Sequence, residues 1–150
     1  VELAISIAAS VANYVIELRE QVGLFTNGED PLGIDNKPQM VLPAKGYAQL
    51  MQILTTLARV QAHETSGLVH LIQEQIVNLT WGTTMVVITG DASQSLFDSL
   101  INAQRVGIQV VLVLVGEVES VQVIKAQAES LGVQVHHIMY TPDLQIWQER

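Results

Sequence analysis

The sequence predicts an α/β protein with a three-layer, doubly wound and mostly parallel sheet that carries one antiparallel edge strand. From residue 80 onward, short segments rich in β-branched residues alternate with longer helical segments, in the order strand, helix, strand, helix, strand. That alternation is typical of parallel strands joined by right-handed crossovers. Nearer the amino terminus, two short apolar segments are separated by a loop too short for a crossover helix, which predicts an antiparallel pair.

The first half of the chain supplies the antiparallel pair and its helices. We predict a helix over residues 3–19, because apolar residues surround almost the whole of it, and this pattern favours a buried position. A strand over 22–26 ends at the turn pair Asn27-Gly28, and its partner strand covers 40–42. Leucine and isoleucine at helical spacing predict two more helices with a break between them, over residues 47–60 and 68–79.

The second half is organised around the segment Thr83–Asp91. Met85–Ile88 reads as a strand buried on both faces, and Thr89-Gly90 ends it. Asp91 therefore lies where a strand ends and a helix begins, which is the place where open α/β sheets keep their ligand sites. The later elements are a helix that ends near residue 105, a strand over 108–115, a helix over 118–131 and a strand over 133–139.

The composition excludes several classes of protein. The chain has 150 residues, of which 49% are hydrophobic and 15% charged, so we expect residues 1–150 to form a single folded domain. Its net charge is −8 and it has no Lys/Arg cluster, which argues against nucleic-acid binding. The absence of cysteine excludes disulfides and Cys-ligated zinc. No apolar segment is long enough to span a bilayer, so we expect no membrane contact by this segment.

The sequence also lacks the short motifs of common enzymes. The phosphate-binding Gly-Lys-Ser/Thr loop, the dinucleotide Gly-x-Gly-x-x-Gly and the Gly-x-Ser-x-Gly elbow are all missing. His136 and His137 are successive residues of a predicted strand, so their side chains point to opposite faces and cannot bind one metal together. His63 and His70 are seven residues apart, the length of two helical turns, which is too far for both to bind one metal ion. We therefore expect a protein that is not an enzyme.

Asp91 is the strongest candidate functional residue, and two interpretations are open. Asp91 with Gln94 three residues later fits a helix capping box. Alternatively, the carboxylate binds a hard cation such as Mg²⁺, directly or through water. Thr65 and Ser66, at the break between two predicted helices, either cap the second helix or offer hydroxyls to the same cation.

Several short motifs follow one another along most of the chain: Glu2-Leu3-Ala4, Ala8-Ala9-Ser10, Val22-Gly23-Leu24, Asn27-Gly28, Glu64-Thr65 and Val86–Asp91. Together they resemble the von Willebrand factor A fold, and in particular the bacterial "domain of unknown function 58" family. The resemblance implies a metal-ion-dependent adhesion site, with Thr65, Ser66 and Asp91 as candidate ligands of Mg²⁺. The Asp-x-Ser-x-Ser loop of that site is not in this sequence, and we expect it upstream of Val1, together with the first strand.

The resemblance further implies a protein-binding module that works with a MoxR-type AAA+ ATPase, as a cytoplasmic domain of a membrane-anchored bacterial parent protein. Without its first strand, the sheet lacks a central position between the strands near residues 22 and 83. We expect direct pairing of these strands, a rearrangement or a second copy of the chain to close this gap. Two alternatives stay open: a small doubly wound hydrolase or phosphatase that uses Asp91, and a self-associating structural domain.

Overall fold

The computed structural model describes residues 2–29, 39–64, 67–91 and 93–139. The chain divides into two compact units, Val1–Leu71 and Ile72–Arg150. That residues 1–150 form one domain stays a prediction. No helix in the described part of the chain is long and apolar enough to cross a membrane.

The first unit combines an antiparallel strand pair with two helices that contact it. Its elements, in chain order, are α1 (Glu2–Glu17), β1 (Val22–Thr26), β2 (Gly28–Glu29), β3 (Gln39–Ala44), α2 (Tyr47–Arg59) and β4 (Gln61–Glu64). Strands β1 and β3 pair in antiparallel orientation, as predicted. Helix α3, Leu68–Ile76, contains the boundary between the two units.

The core of the first unit lies between the two helices and one face of the strand pair. The buried residues of this core come from α1, β3 and α2, and are Ala12, Val41, Leu50, Ile53 and Leu57. The other face of β3 is open, because Met40 and Leu42 are 52% and 67% exposed. Strand β3 therefore shows the alternation of a sheet with one covered face.

The prediction that α1 is buried nearly all round is wrong. Ile7 and Ala12 are buried, but Tyr14 and Leu18 are more than half exposed. Helix α1 carries two apolar stripes, and the one that includes Ala12 and Ile16 packs against the core cluster. Apolar periodicity fits both stripes, so it cannot tell which one faces the core.

Strand β1 ends at Thr26 and a break separates α2 from α3, as predicted, but Gly28 lies in a strand instead of a turn, and strands β2 and β4 were not predicted. Gly28 and Glu29 form strand β2, which pairs in antiparallel orientation with β4. The backbone N–H of Gly28 donates to Thr26 Oγ1 at 3.1 Å, a local contact of the kind that Ser and Thr make in turns, between the end of β1 and the start of β2. Both strands are short and polar, so neither carries the alternation of apolar residues that identifies a strand in a sequence.

The second unit is a parallel sheet with helices, as predicted. After the end of α3 its elements are β5 (Thr84–Thr89), α4 (Gln94–Arg105), β6 (Gln109–Val115), α5 (Val121–Ser130) and β7 (Gln134–Ile138). The sheet order is β5-β6-β7, with both pairs parallel. Leu112, Val113 and Leu114 of the middle strand β6 are fully buried, at 0% exposure.

Strand β5 is less buried than the sequence predicted. Within Met85–Ile88 only Val87 is buried, and the other three residues are partly exposed. The reason is its position, because among the described strands β5 is terminal in its sheet, whereas β6 lies between two neighbours. Strand β1 is terminal as well, in a separate two-stranded sheet. How the gap between the strands near residues 22 and 83 is closed stays a prediction.

Candidate functional site

Asp91 lies at the carboxyl end of β5, as predicted, and is exposed. A small hydroxyl turn shapes the chain before it. The backbone N–H of Asp91 donates to Thr89 Oγ1 at 3.2 Å, and that hydroxyl donates to the backbone oxygen of Asp91 at 3.2 Å. Gly90 passes close to β6, since a Cβ added there would lie 3.4 Å from the backbone oxygen of Val115. The turn is thus held at both of its sides.

The interpretation of Asp91 as the cap of α4 is wrong. The N-cap is Ser93, whose Oγ accepts a hydrogen bond from the backbone N–H of Leu96 at 3.2 Å. Gln94 Nε2 donates to Asp98 Oδ1 at 3.1 Å, so Gln94 is engaged along the helix instead of reaching back. The helix begins too late for Asp91 to cap it. The Asp91 carboxylate makes no hydrogen bond or ion pair with the part of the chain that the structure describes.

The next loop along the same edge of the sheet is fixed to β7. The backbone N–H of Gly116 donates to the oxygen of Ile138 at 3.0 Å, and Gly116 O lies 2.7 Å from His137 Nε2. This bond gives His137 a structural role that sequence reasoning did not find, because strand alternation does not show what a loop carbonyl meets. Glu117 follows this loop and is exposed. Asp91 and Glu117 are therefore the acidic side chains that the structure places just after the ends of β5 and β6.

The predicted ligand set is placed only in part. Thr65 and Ser66 lie outside the described residues, so their role stays a prediction. Across residues 2–29, 39–64, 67–91 and 93–139 there is no group of three or more histidine, aspartate or glutamate residues that could hold a metal ion. Mg²⁺ keeps several waters and binds through one or two carboxylates in many sites. The described residues thus fit part of a magnesium site, with Asp91 as its one carboxylate.

Comparison with solved structures supports the fold. The structure is similar to a von Willebrand factor type A protein from Catenulispora acidiphila, with a TM-score of 0.58 and 12% sequence identity over 98% of this chain. The chain spans 36% of the length of that protein. No protein-family model and no curated protein matches the sequence. At this level of identity the likeness concerns the fold alone, and it confirms the predicted von Willebrand factor A-like α/β fold.

Proposed function

We propose that the chain is a non-enzymatic protein-binding module of a larger bacterial protein of the domain of unknown function 58 family, and that Asp91 helps to hold a divalent cation in it. The observation that carries the proposal is the exposed Asp91 at the carboxyl end of β5. Because Ser93 caps the following helix, the carboxylate is available to a cation.

A cation at this position recruits a protein partner through its remaining coordination sites. Asp91 supplies one oxygen ligand and water supplies others, and Mg²⁺ accepts such a mixed shell. In this proposal, hydroxyls of Thr65 and Ser66 and an Asp-x-Ser-x-Ser loop from an upstream segment complete the protein's share. A carboxylate of the partner then replaces a water. The interaction depends on the metal and requires no nucleophile or general base.

Metal binding is tested by thermal unfolding in increasing Mg²⁺, on this chain and on a longer chain that carries its natural upstream residues. We expect Mg²⁺ to stabilise the longer chain, by about 2.7 kcal/mol at a concentration one hundred times its Kd. Asp91→Asn removes this stabilisation. Asp98→Asn is the matched control, because Asp98 is an exposed aspartate whose hydrogen bond to Gln94 lies on the surface of α4.

Two results would contradict the metal proposal. One is that Mg²⁺ has no effect on either chain, and the other is that both aspartate variants respond alike. Hydrolysis of p-nitrophenyl phosphate by the longer chain, lost in Asp91→Asn, would instead identify a hydrolase that uses this carboxylate.

The partner we propose is a MoxR-type AAA+ ATPase, which the cytoplasmic module would contact through the cation. The test is binding of the purified ATPase encoded beside the parent gene to the longer chain, measured by biolayer interferometry. Because the ATPase itself requires Mg²⁺, chelation alone does not discriminate. Asp91→Asn should abolish binding and Asp98→Asn should retain it. Equal binding by both variants would exclude a contact through Asp91.

A further inference from the structure

A concave surface lies at the end of the parallel sheet where β5, β6 and β7 begin, opposite to the end that carries Asp91. We name it the amide groove after its lining of glutamines: Gln104, Gln109 and Gln134, with Trp81 and Gly107 beside them. Its volume is about 540 Å³, which lies in the range of small-molecule sites. All of its lining residues belong to the second unit. The amide groove is distinct from the edge of the sheet that carries Asp91.

Trp81 is the most unusual residue of the amide groove, because it is both exposed and held in place. Its side chain is 85% exposed. The indole lies so close to Gly107 that a Cβ added to this glycine would overlap the ring. The backbone N–H of Gly82 donates to Gly107 O at 2.9 Å, and Thr83 N–H donates to Thr80 O at 3.2 Å. These bonds fix the loop that presents the ring.

An exposed indole on a fixed loop is a preorganised binding surface. Leaving a large apolar ring in water forgoes the stabilisation that burial would give. A ligand that covers the ring recovers it, and little side-chain freedom is lost on binding because the loop is already ordered. Tryptophan is, for this reason, among the residues that contribute most to binding energy in known interfaces.

The glutamines around the ring keep hydrogen-bonding capacity for a ligand. Gln104 Nε2 donates to Gly132 O at 2.8 Å, which leaves its Oε1 as an acceptor. Gln109 Oε1 accepts from the Thr84 hydroxyl at 3.3 Å, which leaves its Nε2 as a donor. Gln134 is exposed, and its amide makes no hydrogen bond within the part of the chain that the structure describes. The groove therefore offers both donors and acceptors to a ligand.

The lining also indicates the charge of the ligand. Among the residues that the structure describes, none that lines the amide groove is ionisable, although the whole chain carries a net charge of −8. A phosphate or a nucleic acid would meet no cation there, which these ligands need. A proline-rich peptide needs a groove lined with several aromatic rings, and the described lining contains a single indole.

We propose that the amide groove binds a neutral carbohydrate, with one sugar ring stacked on Trp81 and its hydroxyl groups paired with Gln104, Gln109 and Gln134. The negative face of an indole attracts the C–H groups on the flat side of a sugar ring. Sugar hydroxyls both donate and accept, so they match side-chain amides of which one atom is already engaged.

The test uses the full chain in a Trp147→Phe background, in which tryptophan fluorescence reports Trp81 alone. The probes are cellotriose and the trimer of N-acetylglucosamine, titrated with calorimetry in parallel. We expect a saturable change in fluorescence with at least one of these sugars. For binding measured by calorimetry, Trp81→Ala should weaken affinity by about tenfold or more, as for a residue that dominates a contact.

Two further variants separate binding from folding. Gln134→Ala should weaken binding severalfold and leave the circular dichroism spectrum unchanged, because this exposed amide has no partner among the described residues. Gln122→Ala is its control, an exposed glutamine on α5 outside the amide groove. The proposal is overturned if neither sugar binds saturably or if Trp81→Ala binds as well as the parent.

Discussion

Just past the end of helix α1 lies a residue, Arg19, that is poorly suited to its backbone conformation. Arg19 has φ 62°, in the left-handed region, where an L-residue other than glycine costs roughly 1–2 kcal/mol. The position is imposed by hydrogen bonds: Glu20 N–H donates to Val15 O at 3.2 Å and Arg19 N–H to Ile16 O at 2.9 Å. This pair of bonds is the Schellman motif, which usually places glycine at the position of Arg19.

We predict that Arg19→Gly stabilises the protein by roughly 0.5–1 kcal/mol, since relief of strain exceeds the added freedom of the unfolded chain. The measurement is the urea midpoint at unchanged m-value. The control is Gly132→Ala, because Gly132 has φ 85° and ends α5 with the same pair of bonds, from Gly132 N–H to Glu129 O and Val133 N–H to Ala128 O. That substitution should destabilise. If Arg19→Gly leaves the free energy of unfolding unchanged or lowers it, the interpretation of Arg19 as strained is wrong.

Gln49 is a buried polar residue that replaces missing sheet hydrogen bonds. Its side chain is 6% exposed, and Nε2 donates to Val22 O at 2.7 Å and to Leu42 O at 2.8 Å. The register of β1 on β3 shifts between Val22 and Leu24, and such an irregularity takes backbone groups out of the ladder. One amide from α2 therefore satisfies a carbonyl oxygen on each strand.

We predict that Gln49→Leu lowers the free energy of unfolding by about 1–3 kcal/mol, because it removes the donor to two carbonyl groups of the strand pair. Gln52→Leu on the same helix is the matched control, since Gln52 is exposed. Urea denaturation of both variants gives the comparison. Equal losses in the two variants would show that the amide of Gln49 contributes nothing specific.

At the level of elements, sequence reasoning succeeded where a segment was long and regularly patterned. Strand β1 was predicted with its observed limits, and α2 and α4 end within one residue of their predicted ends. The errors concern segments whose structure is determined by backbone geometry and is not marked by an apolar pattern. Strand β4 has none, and α5 begins only at Val121, after Ser120 with φ 56° in the left-handed region. A pairing between polar strands cannot be recognised from a single sequence, and neither can a residue in the left-handed backbone conformation.

The start of α4 provides a test at the same scale. We predict that Ser93→Ala lowers the free energy of unfolding by about 1 kcal/mol, the usual loss when an N-cap hydroxyl is removed. Asp91→Ala should cost less, because Asp91 caps nothing and contributes at most a weak interaction with the helix dipole. The free energies of unfolding of the two variants are compared by thermal and urea denaturation. If Asp91→Ala loses more stability than Ser93→Ala, then Asp91, and not Ser93, caps the helix.

At the level of the whole molecule, only part of the candidate site could be predicted. Asp91 was found because the end of a β-branched strand is visible in sequence and parallel strands end at one edge. Glu117, which follows the end of β6, was not singled out, because it matches no motif and lies outside the apolar pattern of the strand. Trp81 was missed for a related reason, since a lone aromatic residue in a polar segment belongs to no apolar stripe and matches no motif.

The terminal position of β5 has a consequence for the assembly of the chain. The backbone N–H of Gln109 donates to Thr83 O at 2.9 Å, and in a parallel pair alternate residues direct their backbone groups to the neighbour. The N–H of Val86 therefore points away from β6, to the side of β5 on which the structure describes no strand of this sheet. Register with β6 is regular from Thr84 to Thr89, and the segment contains no charge, proline or bulge. Edges without such features recruit further strands.

We predict that a second copy of the chain adds to this edge, so that the mass measured by light scattering rises with concentration from monomer to dimer. Val86→Pro should keep the chain monomeric, because proline removes an N–H that faces outward and leaves the pairing with β6 intact. Val86→Thr is the control, since it keeps both the N–H and a β-branched side chain, and it should still dimerise. A chain that stays monomeric, or two variants that behave alike, would show that the backbone of β5 is not the contact. The comparison is specific because only Val86→Pro removes the outward-facing backbone N–H, which an added strand needs as a hydrogen-bond donor.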